Sequence, residues 1–257
     1  MYIRTILFLR FNGLKLNFVK IKILAFLFIL SAHTVLSGQF VKTIYKTIGD
    51  KTVYSIESKN VFMVTSGLMI DADGSPKAYH QDNSKALDYL ANAGKPGNWW
   101  ALVTDNQKSN GNPIIQTAND PAPGYYISTT SLQDNTKKAD DPNRYVNSET
   151  VPYIVLPSKF SNDFKLGDIA LVINKKNNKK CFAIFADTGP ANKIGEGSVC
   201  LAEQLGVAGN PKKGGTNADI VYILIKNSGK KKVLTKEEIE ETGKSKLTDE
   251  DIIELLK

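Results

Sequence analysis

The sequence predicts a mostly β protein, a barrel with a few short helices, and three observations lead to this fold class. The 257 residues are 42% hydrophobic and 23% charged, which is typical of a globular chain with one or at most two compact units. Residues 61–225 contain seven short runs rich in β-branched and aromatic residues, separated by turn residues. Two stretches of that body show the spacing of a helix instead.

The predicted elements follow in order along the chain. Strands are expected at residues 61–70, 99–104, 125–128, 151–156, 169–173, 181–186 and 220–225. Turn pairs such as Asp73-Gly74 and Gly189-Pro190 interrupt the chain between them. Helices are expected at residues 84–93 and 198–205, each followed by a glycine that can end it.

The C-terminal segment, residues 229–257, has a different composition. Thr235 stands three residues before Glu238, and Thr248 stands three residues before Asp251, a spacing typical of a helix N-terminus. An apolar face follows the second pair. We therefore expect a helical tail packed on the barrel, with a helix that docks a partner as the alternative.

The N-terminal segment carries most of the net charge of +7. Its first 39 residues hold five lysines and arginines and no acidic residue, so the rest of the chain carries only +2. That remainder is too weakly basic to indicate a polyanion-binding protein, and we expect no nucleic-acid partner.

The same segment has the order of a secretory signal. A cationic region precedes the apolar run 23–30, and the small residues Ser37 and Gly38 follow. We predict a signal peptide over residues 1–38 and an N-terminal extension over residues 39–60. The protein would then be secreted, extracellular or periplasmic, and free of the membrane after cleavage; a retained anchor is the alternative.

Cysteine and histidine are scarce. Cys181 and Cys200 could form one disulfide in an exported protein, or each could pack as a small apolar side chain, and the sequence leaves both open. After removal of the predicted signal, His80 is the one histidine of the chain. This count argues against a Ser-His-Asp triad and a histidine-rich metal site, so we expect no metal and no organic cofactor.

Two carboxylates carry the candidate chemistry. Asp187 directly follows an apolar strand and precedes the break at Gly189-Pro190, and Glu196 arrives nine residues later between Gly195 and Gly197. We expect stiff backbone to hold Asp187, and an open main chain around Glu196 that a substrate can approach. Two such carboxylates held apart suit glycosidic-bond hydrolysis. The alternative is that they cap a turn and a helix.

Four segments resemble the chitosanases of glycoside hydrolase family 75, known mainly from fungi. They are residues 67–74, 148–157, 186–187 and 195–198, and the resemblance covers about residues 60–228. It implies that Asp187 and Glu196 are the essential carboxylates and that an endo-acting enzyme cleaves the β-1,4 glucosamine polymer with inversion. We expect chitosan as the polysaccharide partner and a monomeric enzyme.

The strand, the Asp-x-Gly-Pro turn and the following helix are also similar to the double-psi β-barrel of expansin-like and lytic-transglycosylase modules. This likeness implies a six-stranded double-psi-like barrel as the catalytic domain, residues 61–228. It also leaves two other functions open, a peptidoglycan-directed lytic transglycosylase or hydrolase and a non-catalytic expansin-like glycan-binding barrel.

Further residues are expected to bind substrate. The family resemblance makes Asp71 a lining carboxylate that pairs with a glucosamine ammonium, with Asp73 and Glu149 as additional acidic candidates. Trp99 and Trp100 are adjacent in a predicted strand and should point to opposite sides, so that Trp100 offers a flat face to a sugar. Tyr126 is assigned the same role.

The roles of the two carboxylates are assigned from their surroundings. Asp187 is expected to be the proton donor, because an apolar strand end should raise its pKa, and Glu196 the base. A separation of about 6.5–9.5 Å between their carboxyls would indicate inversion, whereas about 5 Å would indicate retention.

Overall fold

The computed structural model describes residues 40–257, and the predicted signal peptide lies outside them. Its ten strands are β1 (Thr43–Ile48), β2 (Lys51–Ile56), β3 (Val61–Asp71), β4 (Gly94–Lys95), β5 (Asn98–Trp99), β6 (Tyr153–Pro157), β7 (Ile169–Asn174), β8 (Lys179–Gly189), β9 (Glu196–Ser198) and β10 (Thr216–Ile225). Its four α-helices are α1 (Ser158–Ser161), α2 (Val199–Gln204), α3 (Lys236–Lys244) and α4 (Asp249–Leu255). Among these residues, no helix has the length and apolar character needed to span a membrane.

Six strands close into a barrel. Their order is β3, β10, β7, β8, β6 and β9, and β9 pairs back onto β3. The pairs β3–β9 and β6–β8 are parallel, and the other barrel pairs are antiparallel. The hairpin of β1 and β2, which comes from the predicted N-terminal extension, continues the sheet beyond β3. The predicted mostly β, six-stranded barrel with short helices is confirmed.

The barrel strands are buried on both faces. Every residue of β7 is buried, a pattern typical of a sheet covered on two sides. Alternate strand residues, among them Val172 and Ala183, pack with the apolar residues of α1 and α2. Their neighbours, among them Leu171 and Ile184, pack with the C-terminal helices. This double packing gives the rigid frame from which the functional side chains project.

The C-terminal tail forms the two helices that its sequence predicts. Thr235 and Glu238 make a capping box at the start of α3, and Thr248 and Asp251 make another at the start of α4. Both helices bury apolar residues against the barrel, so the tail is a packed appendage.

The segment between β3 and β6 differs from the prediction. Residues 84–93 form turns and one short 3-10 segment instead of an α-helix. The amides of Leu87 and Asp88 donate to the carbonyls of Lys77 and Ala78, so the backbone pairs with a turn ten residues earlier rather than with itself. The predicted helix is therefore wrong, because those long-range hydrogen bonds and a small apolar cluster replace the helical ones.

The predicted strands at 99–104 and 125–128 are also wrong as barrel strands. Outside the two-residue strand β5, they contribute isolated bridges, such as the pairing of Leu102 with Ser128. The long connection between β3 and β6 is thus a loop-rich layer laid over one end of the barrel.

The structure also distinguishes the two possibilities left open for the cysteines. Cys181 and Cys200 are both buried free thiols. Burial raises the pKa of Cys181 to about 12, so this thiol is a core side chain and a poor nucleophile.

Candidate active site

A cleft of about 760 Å³ opens where β3, β6, β8 and β9 end beneath the loop-rich layer. Its walls come from strand ends and from loops at residues 73–100 and 211–217. Among the residues that line it, the ionisable ones are Asp71, Asp73, Tyr79, Asp88, Asp187, Lys193 and Glu196. Both sequence-predicted carboxylates, Asp187 and Glu196, therefore face the same space.

A β-bulge sets the position of Asp187 on β8. Ile154 of β6 pairs with Phe185, and the next residue, Val155, pairs with Asp187, so Ala186 is the extra residue. Such a bulge redirects the side chains that follow it. Phe185 and Ala186 stay in the apolar core, whereas Asp187 is aimed into the cleft.

The bulge also anchors a loop that holds Asp187. The carbonyl of Ala186 accepts a hydrogen bond from the Leu132 amide at 2.7 Å. Next to it, Ser131 donates to Oδ1 of Asp187 from its amide at 3.0 Å and from its hydroxyl at 2.6 Å. The Thr188 amide donates to the same oxygen at 2.8 Å. Three donors thus fix one carboxylate oxygen.

Glu196 is the first residue of β9, the short strand between β3 and β6. A side chain at Gly195, where φ is +105°, would meet the Gly67 carbonyl oxygen at 2.6 Å. One at Gly197 would meet the Tyr153 carbonyl oxygen at 2.7 Å. The expectation of an open main chain around Glu196 is wrong, because both glycines are buried and let β9 fit between its neighbours.

Asp187 and Glu196 lie on the two strands that flank β6 in the sheet. Val155 pairs with Asp187 on one side of β6 and with Glu196 on the other. Since neighbouring strands lie about 4.8 Å apart, the two backbones are two strand spacings, or about 9–10 Å, apart. Both side chains and Val155 line the cleft, so the two carboxylates project into the same space from either side of this strand.

Asp71 and Asp73 lie next to Asp187. Each of the three offers a carboxylate oxygen, and these oxygens lie within 4.8 Å of one another. Tyr79 donates to Oδ1 of Asp73 at 2.7 Å, and the amide of Asp73 donates to Oδ1 of Asp71 at 2.8 Å. The Tyr153 hydroxyl donates to the backbone carbonyl of Asp73 at 2.9 Å. The cluster is thus held together by tyrosines and backbone.

These three aspartates are the group in the described part of the chain that could hold a metal ion. One oxygen from each gives three ligands, fewer than the six to eight that Ca²⁺ takes. Three carboxylates at this spacing can equally share protons or meet an organic cation. The expectation of a metal-free enzyme stays a prediction.

Burial raises the pKa of all four carboxyls. For Asp71 the charges of Asp187 and Glu196 add to this effect, and for Asp73 those of Asp71 and Asp187 do so. The pKa of Glu196 is raised to about 7, first by burial and then by the charge of Asp187, with Lys193 acting in the opposite direction. Like charges crowded into a desolvated cleft thus favour the protonated forms of these carboxyls.

Asp187 differs from Glu196 in its hydrogen bonds. Burial raises its pKa too, but the donors on Ser131 and Thr188 oppose that rise because they favour the ionised form. The Glu196 carboxyl accepts no hydrogen bond from any residue between 40 and 257, and it lies beside Gly189, whose added side chain would stand 3.4 Å from Oε2. The two carboxyls therefore have unequal surroundings.

The other sequence-predicted residues divide between the cleft and its exterior. Asp71, Asp73 and Trp100 line the cleft, and the Trp100 side chain is 60% exposed. Trp99 packs on a small apolar cluster, but both tryptophans line a second cavity, so the prediction that they point to opposite sides stays a prediction. Glu149 is exposed outside the cleft, where Ser75 donates to it at 2.5 Å, and Tyr126 packs beside Trp99. Their roles in binding stay predictions.

The sequence analysis missed several residues of the site. Ser131 stands 56 positions before Asp187, and no local pattern in its serine and threonine run indicates a carboxylate partner. Tyr79, Asp88 and Lys193 also line the cleft without any recognisable motif. They reach it only through the path of the loop-rich layer and of the β8–β9 connection.

Two carboxylates across an open, sugar-sized cleft on a rigid barrel are the arrangement of a glycoside hydrolase. The family model described as fungal chitosanase of glycosyl hydrolase group 75 matches residues 109–252, more than half of the chain. The chain therefore belongs to this family and is a glycoside hydrolase of the chitosanase type, acting on a polysaccharide. No curated protein matches it.

The matched range locates the family likeness within the fold. It contains Asp187, Glu196 and Ser131 and continues through α3 into α4. Asp71, Asp73 and Trp100, which complete the cleft, come before it. Their places in the site are known from the geometry alone.

Proposed function

We propose that this enzyme is an endo-acting chitosanase that cleaves β-1,4 linkages between glucosamine units. This proposal rests on the acidity of the cleft. Five carboxylates and a single lysine, Lys193, supply the charged side chains of its lining among residues 40–257. A polymer of protonated glucosamine neutralises such a surface, whereas a neutral or anionic glycan does not.

The cleft is open along one side and sits over several strand ends. Trp100 stands at its edge with an exposed ring, and its Nε1 donates to the Asn92 carbonyl at 2.9 Å, which fixes the indole. A fixed aromatic face suits stacking with a sugar ring. This shape suits a chain that passes through the site, and so supports internal cleavage.

We infer an inverting reaction from the strand order. Asp187 and Glu196 flank Val155, about two strand spacings apart. Inverting enzymes hold their carboxyls about 6.5–9.5 Å apart to leave room for water, and retaining ones about 5 Å apart. A backbone spacing of two strands leaves room for a water molecule between the two carboxyls, which supports water attack from the side opposite the leaving oxygen.

The hydrogen bonds support acid and base roles opposite to those expected from the sequence. Oδ1 of Asp187 accepts three hydrogen bonds, which favour its ionised form and suit a base that activates water. Glu196 lacks such donors among the described residues, and its pKa is raised to about 7, which suits a proton donor. We therefore propose Glu196 as the acid and Asp187 as the base.

The test is hydrolysis by the purified protein lacking residues 1–38. Chitosan, chitin and peptidoglycan are supplied separately, and new reducing ends and the anomer of the fresh product are recorded by NMR. We expect reducing ends from chitosan and an initial α anomer, with activity lost in Asp187→Asn and Glu196→Gln. An initial β anomer would contradict inversion.

Other outcomes would favour the alternatives. Fragments released from peptidoglycan but not from chitosan would point to a cell-wall lytic enzyme. Binding of chitosan with no new ends, unchanged in Asp187→Asn, would point to a glycan-binding barrel. Either result would refute the chitosanase proposal.

We further propose export of the enzyme and a monomeric state. The cationic region followed by an apolar run in residues 1–38 supports export. N-terminal sequencing of protein from the culture medium or periplasm tests it, and light scattering tests the oligomeric state. A mature protein that keeps residues 1–38 would contradict cleavage.

A further inference from the structure

A second cavity of about 420 Å³ lies beside the catalytic cleft. Trp100 lines both cavities, so its indole stands between them. A polymer that leaves the cleft along this indole enters the second cavity. Its occupant is therefore expected to be another unit of the same chain.

The two cavities have opposite charge. Lys108 and Arg144 are the charged side chains that line the second cavity within residues 40–257, and no carboxylate of that part of the chain forms an ion pair with either. A protonated glucosamine placed there meets two like charges, which disfavours binding.

Arg144 is held in place by neutral groups. Its guanidinium donates to the side chains of Gln133 at 3.0 Å and Asn135 at 2.8 Å, and to the carbonyl of Lys137. These contacts fix the cation, and Asp134 interacts with it through its charge without forming an ion pair. Lys108, in contrast, is exposed, and its ammonium has no partner among the described residues.

The rest of the cavity suits a neutral sugar with an amide. Trp100, which is 60% exposed, offers aromatic surface for a pyranose ring, and Trp99 lines the cavity beside it. Leu102 and Val103, each only 6% exposed, form a small apolar part of its wall that a methyl group can touch, and the Lys108 ammonium can donate to an amide carbonyl. An acetamido group has both of these parts and no charge.

We propose that this second cavity is a subsite for an N-acetylglucosamine unit, while the acidic cleft holds glucosamine. The inference rests on the proposed chitosanase function and adds to it a preference for polymers acetylated at a fixed distance from the cut. Lys108 is the residue that excludes glucosamine most directly, because no described residue pairs with its ammonium.

The test uses a chitosan with randomly placed acetyl groups and a fully deacetylated chitosan. Products of the first are sequenced by mass spectrometry. We expect N-acetylglucosamine to be enriched about fivefold over chance at one fixed position from the new end, the size of effect that one surface charge contact gives. Lys108→Glu should abolish this enrichment and speed cleavage of the fully deacetylated polymer.

The matched control is Lys176→Glu. It makes the same charge change at an exposed position in the turn between β7 and β8, outside both cavities. We expect it to behave like the wild type in both assays. Cleavage of chitosan without a preferred acetyl position, or equal shifts in both variants, would overturn the subsite and leave the chitosanase proposal intact. No cleavage of either chitosan would instead refute the chitosanase proposal, and the subsite with it.

Discussion

Ser131 donates two hydrogen bonds to Oδ1 of Asp187, one from its hydroxyl at 2.6 Å and one from its amide at 3.0 Å. The loop that brings Ser131 there is tied to the bulge by the hydrogen bond from Leu132 to Ala186. The β-ladder thus orients the proposed base through a neighbouring loop rather than through its own backbone alone.

This contact predicts a change in pH dependence. Ser131→Ala removes one donor that favours the ionised form, so the pKa of Asp187 should rise further. A base must be ionised, so the acidic limb of kcat/KM should move to higher pH. The profile is measured on short glucosamine oligomers, which stay soluble. Ser131→Thr keeps a hydroxyl and should retain the wild-type limb.

The raised pKa of Glu196 predicts the basic limb of the pH profile of kcat/KM. If Glu196 donates the proton, activity should fall as pH rises through about 7, because the carboxyl is then ionised. An aryl glycoside with a good leaving group needs no proton, so Glu196→Gln should lose far less activity on it than on glucosamine oligomers. Activity that increases through pH 7 would reverse the assignment of the two carboxylates.

The same carboxyl should destabilise the folded protein at high pH. Its pKa is 4.5 for the free group and about 7 in the fold, so between these values the folded chain holds a proton that the unfolded chain has lost. The free energy of unfolding should therefore fall as pH rises through this interval, by ~3 kcal/mol in all.

Glu196→Gln removes that ionisation and should raise the melting temperature relative to wild type at pH 8 but not at pH 4. The expected gain is about 6–12 °C for a domain of this size. Glu203→Gln, at an exposed position on α2, is the control and should show no such difference. Equal gains at both pH values would contradict the linkage.

The tight packing of Gly195, the residue before Glu196, predicts a loss of stability when a side chain is added there. Gly195→Ala places a methyl group 2.6 Å from the Gly67 carbonyl at a φ of +105°, so both a clash and backbone strain follow. Gly97→Ala is the matched control, because φ there is +80° and nothing lies within 4 Å. We expect a loss of about 1 kcal/mol for Gly97→Ala and clearly more for Gly195→Ala in denaturant unfolding. Equal losses would mean that β9 can move away from β3.

The sequence predicts the barrel better than the layer above it. Strands such as 169–173 and 220–225 are continuous apolar runs rich in β-branched residues, and the Thr-x-x-acid pairs of the tail are local signals that long-range contacts reinforce. Residues 84–93 have helical spacing too, but their amides find partners at Lys77 and Ala78, which no local pattern can reveal.

The residues of the site fall into the same two groups, those that local sequence signals predict and those that only the fold brings in. Asp187 and Glu196 are visible because each stands beside a turn or glycine that marks a strand end. Ser131 and Tyr79 act from loops distant in sequence, so their contacts depend on how the connection between β3 and β6 crosses the barrel. The charged groups that shift the pKa of Glu196, among them Asp187 and Asp88, are likewise brought together only by the fold.

Val155 is the spacer between Asp187 and Glu196. Because a whole strand intervenes, the distance between the backbones of these two residues follows from the order of the strands in the barrel. Substitutions around the cleft can therefore alter which polymer enters, while the spacing of the two strands that carry the carboxylates stays fixed by the topology.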